Sequence, residues 1–410
     1  MDLVRDVEPV VVIGGGMLGL SVAYHLARAG VRDVTVLEAR ELASGTTSQA
    51  ATHIGQLRGQ ELWCRSIMRV VAQLRAWKTE HGDDVGFHQI GSVKVALSDD
   101  RVKELETHVA LARKWGLDVE MIEPREAQRR VPLLDTTTVR ACAWIPTDAY
   151  AEPYSLATSV ARLARRLGVK IRTRAPVAKI VLRGSRVVEV ETSEDTLPAT
   201  TVVMAVGAWI ETLGGALGLR LATIPIRHQL WVTAPMDGVP RDMPIVRIPD
   251  LAVYMRQEVG GVLLGGFEER PKSYAPEDLP ATIEETERDI GVLEELAGRL
   301  VSLFPGLQSA RIVRGCAGLP TFTPDGNFLL GPIAQVPGLF VVTGCNAIGI
   351  AGALPVGEWM TELILGMDPS LDLSSQRLDR FAGKYQTRTQ LRTDCEDIYA
   401  NFFSLHKGAF

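Results

Sequence analysis

One segment near the start of the chain has residue types whose spacing alone implies chemistry. Residues 10–13 (VVVI) are an unbroken apolar run, as in a buried parallel strand. Gly14, Gly15, Gly16, Met17, Leu18 and Gly19 follow. In the next stretch, SVAYHLARAG, Val22, Ala23, Leu26 and Ala27 make a helical stripe that Gly30 ends. Residues 34–37 read as a second strand, which Glu38 closes. The order is strand, G-x-G-x-x-G, helix, strand, acid. Gly14 is expected to make the tight turn, Gly16 to let the backbone approach a pyrophosphate, and Gly19 to let the helix pack on the strand. The helix N-terminus offers N–H groups and a positive dipole to phosphates. Glu38, with Ala39 and Arg40 beside it, is placed to accept both ribose hydroxyls of an adenosine half, which disfavours a 2′-phosphate. A lone Gly-rich turn would say little, but strand, helix and spaced acid together predict a dinucleotide-binding unit.

A second pattern lies far downstream. Residues 315–331 read GCAGLPTFTPDGNFLLG, GLFVVTG (338–344) reads as a strand entering a turn, and NAIGIAGALPVGEWMTELILG reads as a helix opening on small residues. A nicotinamide dehydrogenase has no need to return its C-terminal third to the nucleotide unit. A flavoprotein does, when a strand-to-helix turn places a helix N-terminus under the isoalloxazine and its dipole favours negative charge at N1 and C2=O. Gly344, Asn346, Gly349 and Ile350 are the residues of that turn.

The Gly-rich fingerprint, SGTTSQAA (44–51), AVGAW (205–209), TPDGNFLLG and GCNAIGIAGA occur in order across nearly the whole chain. In this the chain resembles the FAD-dependent oxidoreductases of the D-amino-acid oxidase superfamily. It most resembles the flavin part of the dimethylglycine and sarcosine dehydrogenase/oxidase group, without a counterpart of their C-terminal folate-binding half. The resemblance implies an α/β fold with an α+β second domain: a Rossmann-like FAD-binding domain interleaved with an antiparallel-sheet substrate domain. It extends the FAD contacts to Ser44, Gly45, Thr46, Thr47, Ser48 and Gln49, and to Val177, Ala205, Gly207, Trp209 and Gly318. Small residues at 44–48 fit a backbone that runs close to the cofactor.

Many relatives carry a histidine at the position of Gln49 and bond it to the flavin. An amide cannot form that bond, and His53 lies four residues past the position. Monomeric sarcosine oxidases use a cysteine where this chain has Gly318, with Cys316 two residues off. FAD is therefore expected to be non-covalent.

In dimethylglycine-oxidising relatives a histidine and a tyrosine that match His228 and Tyr254 face the flavin. The resemblance makes them the catalytic candidates. An amine must be neutral before it gives up hydride to flavin N5, and a histidine titrates in the range needed to take that proton. An amino-acid substrate also needs a cation for its carboxylate. Arg58 is the first candidate and Arg256 and Arg314 are alternatives, with Arg256 expected on the opposite sheet face from Tyr254. Two lysines of the monomeric sarcosine oxidases are replaced by Leu263 and Ala351, which favours an acceptor other than oxygen.

The elements that must position these residues read as follows. FAD-binding segments are expected at 1–85, 150–224 and 325–372, substrate-domain segments at 86–149 and 225–324, and a tail at 373–410 packing on the flavin domain. Helices are expected at YSLATSVARLARRLG, RVKELETHVALARKWG and ATIEETERDIGVLEELAGRLVSLF, with strands and hairpins across 226–268. Composition excludes other classes. A net charge of −5 with no basic block gives no reason to expect nucleic acid. Five scattered cysteines without a CxxC pair fit a reducing compartment and no structural metal. No signal-peptide layout opens the chain, and the most apolar late stretch is broken by glycines, Asn346 and Pro355. A cytoplasmic protein with no membrane partner is expected.

The function these features imply is oxidation of the C–N bond of a secondary or tertiary N-alkyl amino acid, with oxygen or a carrier protein as acceptor. Oligomers or a hetero-complex are compatible with it. The alternatives are a D-amino-acid, cyclic imino-acid or opine dehydrogenase of the same fold, or a catalytically silent flavin-binding regulatory subunit.

Overall fold

Val10–Ile13 is buried along its whole length, as its apolar run requires. It pairs in parallel with Val34–Leu37 on one side and Thr201–Met204 on the other. The sheet extends to Lys170–Arg172 beyond the first and to Leu339–Thr343 and Leu329–Pro332 beyond the second. Every pair is parallel except the last, which is antiparallel. The helices Met17–Arg28, Pro153–Arg166 and Gly349–Ile364 contribute Leu20, Leu26, Leu156, Val160, Leu354 and Trp359 to one shared core. Each such side chain, taken fully from water, contributes about 1.5–3 kcal/mol. The computed structural model describes residues 7–81 and 85–404. The end of the expected tail, 405–410, lies outside the described residues.

The second sheet is larger and mostly antiparallel. Its order is Ile312–Gly318, His228–Thr233, Gly261–Gly266, Val253–Glu258, Ile245–Ile248, Ser92–Ala96, Ala141–Ile145 and Glu120–Ile122. Paired residues share a face. One face, with Leu230, Tyr254, Leu263 and Phe267, joins the core of the nucleotide domain. The other, with Val93, Val246, Val253 and Leu264, packs against the helix Ile290–Leu300. The chain passes back and forth between the two sheets, so the two domains are interleaved in sequence.

Two expectations need correction. Tyr254 and Arg256 are two residues apart on one strand, and alternation carries both to the same face, the one that meets the nucleotide domain. Arg256 reaches Ala51 O there and lies 4.1 Å over the Tyr150 ring. The long helix expected from ATIEETERD onward is also shorter. Asp289 caps it by accepting from Gly291 N, so the helix proper starts at Ile290 and residues 283–285 form a separate 3-10 turn.

Candidate active site

A cavity of about 630 Å³ runs from the end of Val34–Leu37, across the Gly-rich turn, to the inner face of the larger sheet. At one end are Glu38, Ala39 and Arg40, with Val177 opposite. Glu38 accepts from Gly15 N at 2.7 Å and Arg40 N at 2.9 Å, which fixes its carboxylate at the cavity edge. Gly14 has φ +112, a turn that only glycine makes without strain, and Gly16, Met17 and Leu18 line the wall. A Cβ at Gly19 would collide with the Gly14 carbonyl, so that glycine serves packing as its spacing implies. No side chain caps the helix at Gly16, and its N-terminus faces the cavity.

The middle is built by Thr46–Gln49, a 3-10 turn. Thr47 Oγ1 accepts from Met17 N at 3.1 Å and Thr46 Oγ1 from Leu319 N at 3.2 Å, so the loop is pinned on both sides. Ser44, Gly45, Thr46, Thr47 and Gln49 line the cavity. Ser48 does not; it turns inward and accepts from Gln49 Nε2 at 2.8 Å. Ala205, Gly207 and Trp209 form the opposite wall. Gly318 faces Gln49 directly, and a Cβ there would sit 3.2 Å from Gln49 Cβ.

At the far end the helix Gly349–Ile364 opens on the cavity, with Ile348, Gly349, Ile350 and Ala351 in its wall and no side-chain cap. Asn346 stands just before it but is fully buried behind the turn. Its side chain accepts from Thr323 N at 2.9 Å and donates to Gly344 O, so Asn346 and Gly344 shape the turn and do not line the cavity.

His228, Tyr254, Arg58, Arg247, His53 and Phe267 close this end. His228 Nε2 and Tyr254 Oη are 2.6 Å apart, and His228 Nδ1 and Tyr399 Oη are 3.0 Å apart. Both ring nitrogens are thus engaged, and they reach a ligand only through Tyr254. Tyr254 crosses the strand between them because residue 265 is glycine: a Cβ there would collide with the tyrosine hydroxyl. Burial pushes the His228 pKa down to about 4 and drives that of Tyr254 upward, so both are neutral across the physiological range. His53 stacks edge-on against Tyr254 at 4.9 Å and is kept neutral by burial and by Arg247, Arg256 and Arg58.

Arg58 and Arg247 form the cationic wall. Arg58 Nε donates to Gly55 O at 3.0 Å. The Arg247 guanidinium lies on Gly55, where a Cβ would come within 2.6 Å of Nη2. Arg58 is pushed down to about 9, first by burial and then by Arg247. Asp148 is the buried acid that offsets them. It accepts from Gln56 N at 2.8 Å and Ser92 Oγ at 2.6 Å. The Asp148 charge favours the charged form of both guanidiniums. Arg256 pairs instead with Glu258 and does not line the cavity, and Arg314 is exposed on the outer strand.

Sequence reasoning missed Arg247, Tyr399 and the glycines that admit Arg247 and Tyr254. Arg247 lies in the segment PIVRIPD, but its place opposite Tyr254 is set by strand register. Tyr399 lies in the tail helix Arg388–Ala400, about 170 residues from His228 in sequence.

A nucleotide cradle that two helix N-termini face, joined to a neutral His–Tyr pair and a cationic wall, is the arrangement of a dinucleotide-dependent oxidoreductase. Residues 9–363 match the family described as FAD dependent oxidoreductase (DAO), and the chain belongs to it. It is 32% identical to human mitochondrial dimethylglycine dehydrogenase over 96% of this chain and 46% of that protein. It is 29% identical to 4-methylaminobutanoate oxidase (formaldehyde-forming) of Paenarthrobacter nicotinovorans, over 97% of this chain and 48% of that protein. The chain thus spans about half the length of these curated relatives. Among solved structures, L-proline dehydrogenase from P. horikoshii superposes with a TM-score of 0.82 at 28% identity, covering 91% of this chain and 97% of that one. FAD is the cofactor of the family, and the cradle fits it: the cavity walls are backbone and small side chains where a dinucleotide must lie close. No described helix is long and apolar enough to cross a membrane.

Proposed function

We propose that this protein oxidises the C–N bond of a secondary or tertiary N-alkyl amino acid, of the sarcosine or dimethylglycine kind. The observation that carries the reading is the pairing, at one end of the FAD cavity, of a cationic wall with the Tyr254–His228 pair. Bound FAD supplies the two-electron acceptor that takes hydride from the substrate carbon. Arg247, with Arg58 beside it, holds the carboxylate. Tyr254, backed by His228, faces the amine nitrogen, whose lone pair must be free for the reaction. Phe267, Ile350 and Phe402 exclude water around the reacting carbon. The similarity to dimethylglycine dehydrogenase and 4-methylaminobutanoate oxidase supports an N-methyl amine substrate.

In this reading FAD is held without a covalent bond, since Gln49 and Gly318 stand where relatives carry the linking histidine and cysteine and Cys316 stands off the cavity wall. With Leu263 and Ala351 where related oxidases place lysines, a carrier protein is the preferred acceptor over oxygen. A second reading, a cyclic secondary amine such as proline, is favoured by the similarity to L-proline dehydrogenase. Anaerobic reduction of the purified flavoprotein by N-methyl and cyclic amino acids tests both. Reduction by N-methyl amino acids at lower concentration supports the first reading. Reduction by proline alone supports the second.

A further inference from the structure

The hydroxyl of Tyr399 is buried with no exposure. Among the described residues, the acceptor it meets is His228 Nδ1 at 3.0 Å. If Nδ1 carried a proton, the tyrosine's own proton would be left unpaired in the interior, which is unfavourable. Donation from Tyr399 to Nδ1 avoids that cost. Nδ1 is then the bare nitrogen and the imidazole proton sits on Nε2. Nε2 donates to Tyr254 Oη across 2.6 Å. The proton of Tyr254 cannot return along that bond, and the side of its hydroxyl left open faces the cavity.

We propose that Tyr399 fixes the tautomer of His228, so that Tyr399, His228 and Tyr254 all point their protons toward the cavity and the site accepts its amine only in the uncharged form. The proposal rests on the reading above that this end of the cavity binds an amino-acid amine. An ammonium group has no lone pair to receive the Tyr254 proton. A neutral amine does, while its carboxylate lies on Arg247. Tyr399 touches no ligand; it is a positioning residue that acts through His228. The charged and titratable groups around the chain do not reverse its direction. Glu268 and Arg227 face Tyr399 and pair with each other at 3.0 Å. Cys316, Arg247 and Arg256 face Tyr254, and His53 against it is neutral. The guanidiniums disfavour an ammonium in the same place.

The test uses Tyr399→Phe, which keeps the ring packing on Phe267 and Phe322, both at 5.1 Å, and removes the proton. In the wild-type holoprotein, the pH dependence of anaerobic flavin reduction (kred/Kd) is expected to rise with the amine's own pKa. The inflection should move with the substrate across a series of N-methyl amino acids. In the variant the reverse tautomer is admitted, Tyr254 can turn a lone pair to the cavity, and the inflection should fall by about one pH unit or more. Independently of turnover, ¹⁵N NMR of histidine-labelled protein, with His228→Asn for assignment, should show a bare Nδ1 in the wild type. It should show a protonated or exchanging Nδ1 in Tyr399→Phe. A protonated Nδ1 in the wild type overturns the proposal, as does a variant unchanged in both profile and spectrum. If the variant does not fold, the wild-type tautomer and the substrate series decide. If no N-alkyl amino acid reduces the flavin, the functional reading fails while the NMR result still tests the tautomer.

Discussion

At the scale of single residues the site is a set of neutral donors beside a buried positive charge. Arg247→Met is expected to raise Kd for an N-methyl amino acid by at least about 30-fold, the loss of a buried charge-assisted contact worth roughly 2 kcal/mol or more. An amine of the same shape without a carboxylate should bind as before, and equal losses for both would remove Arg247 from the carboxylate site. Gly265→Ala pushes the Tyr254 hydroxyl away from His228. It should slow flavin reduction by about 100-fold while leaving FAD affinity unchanged. Unchanged reduction kinetics would mean that the pair does not act on the amine. His228 and Tyr254 were singled out through the family resemblance, and the structure brings their side chains within 2.6 Å of each other in the cavity wall. Arg247 was not singled out, because its position depends on which residue of another strand it faces. Arg256 shows the same limit from the other side: its shared face with Tyr254 follows from simple alternation, but its pairing with Glu258 does not.

At the scale of elements, the pattern of the nucleotide unit is local in sequence and that of the tail is not. The Gly-rich turn, its helix and Glu38 are local in sequence, so their pattern carries their geometry. The tail helix Arg388–Ala400 has a polar surface with a few buried side chains, Leu391, Cys395 and Tyr399, and nothing local says where they go. They go under the larger sheet, where Phe402 stacks on Phe267 at 4.1 Å. Removing residues after 386 exposes that surface and takes away the Tyr399 hydroxyl. Loss of several large buried side chains costs about 2–5 kcal/mol each. The truncated protein should unfold at a clearly lower temperature by calorimetry or fail to accumulate folded. Unchanged melting would mean that the tail is not part of the packed structure.

At the scale of the whole molecule, burial of neutral histidines sets the acid limit of stability. His25 and His228 are pushed down to about 4 by burial, and burial also pushes His53 well below the usual histidine range. Unfolded, each takes up a proton near pH 6.5, so below that pH the unfolded state binds more protons and stability falls. The decline should run from about pH 6.5 to 4, on the order of 3 kcal/mol for a fully buried histidine. A melting temperature that stays flat between pH 7 and 5 would contradict it. The architecture that brings these groups together was legible as a class. An early fingerprint and a late helix that returns to it require two interleaved domains. The direction of the hydrogen bonds inside the site was not, since it depends on contacts from four separated segments.

The central claim is that the cavity joins FAD to an amino-acid amine, and one measurement meets it most directly. The purified protein would be titrated anaerobically with N-methylated amino acids while its flavin band, near about 450 nm, is followed. Loss of that band by N-methyl amino acids, and not by the corresponding amines without a carboxylate, is the result expected here. A band that survives every amine of the series, in a protein that holds its FAD, would contradict the account.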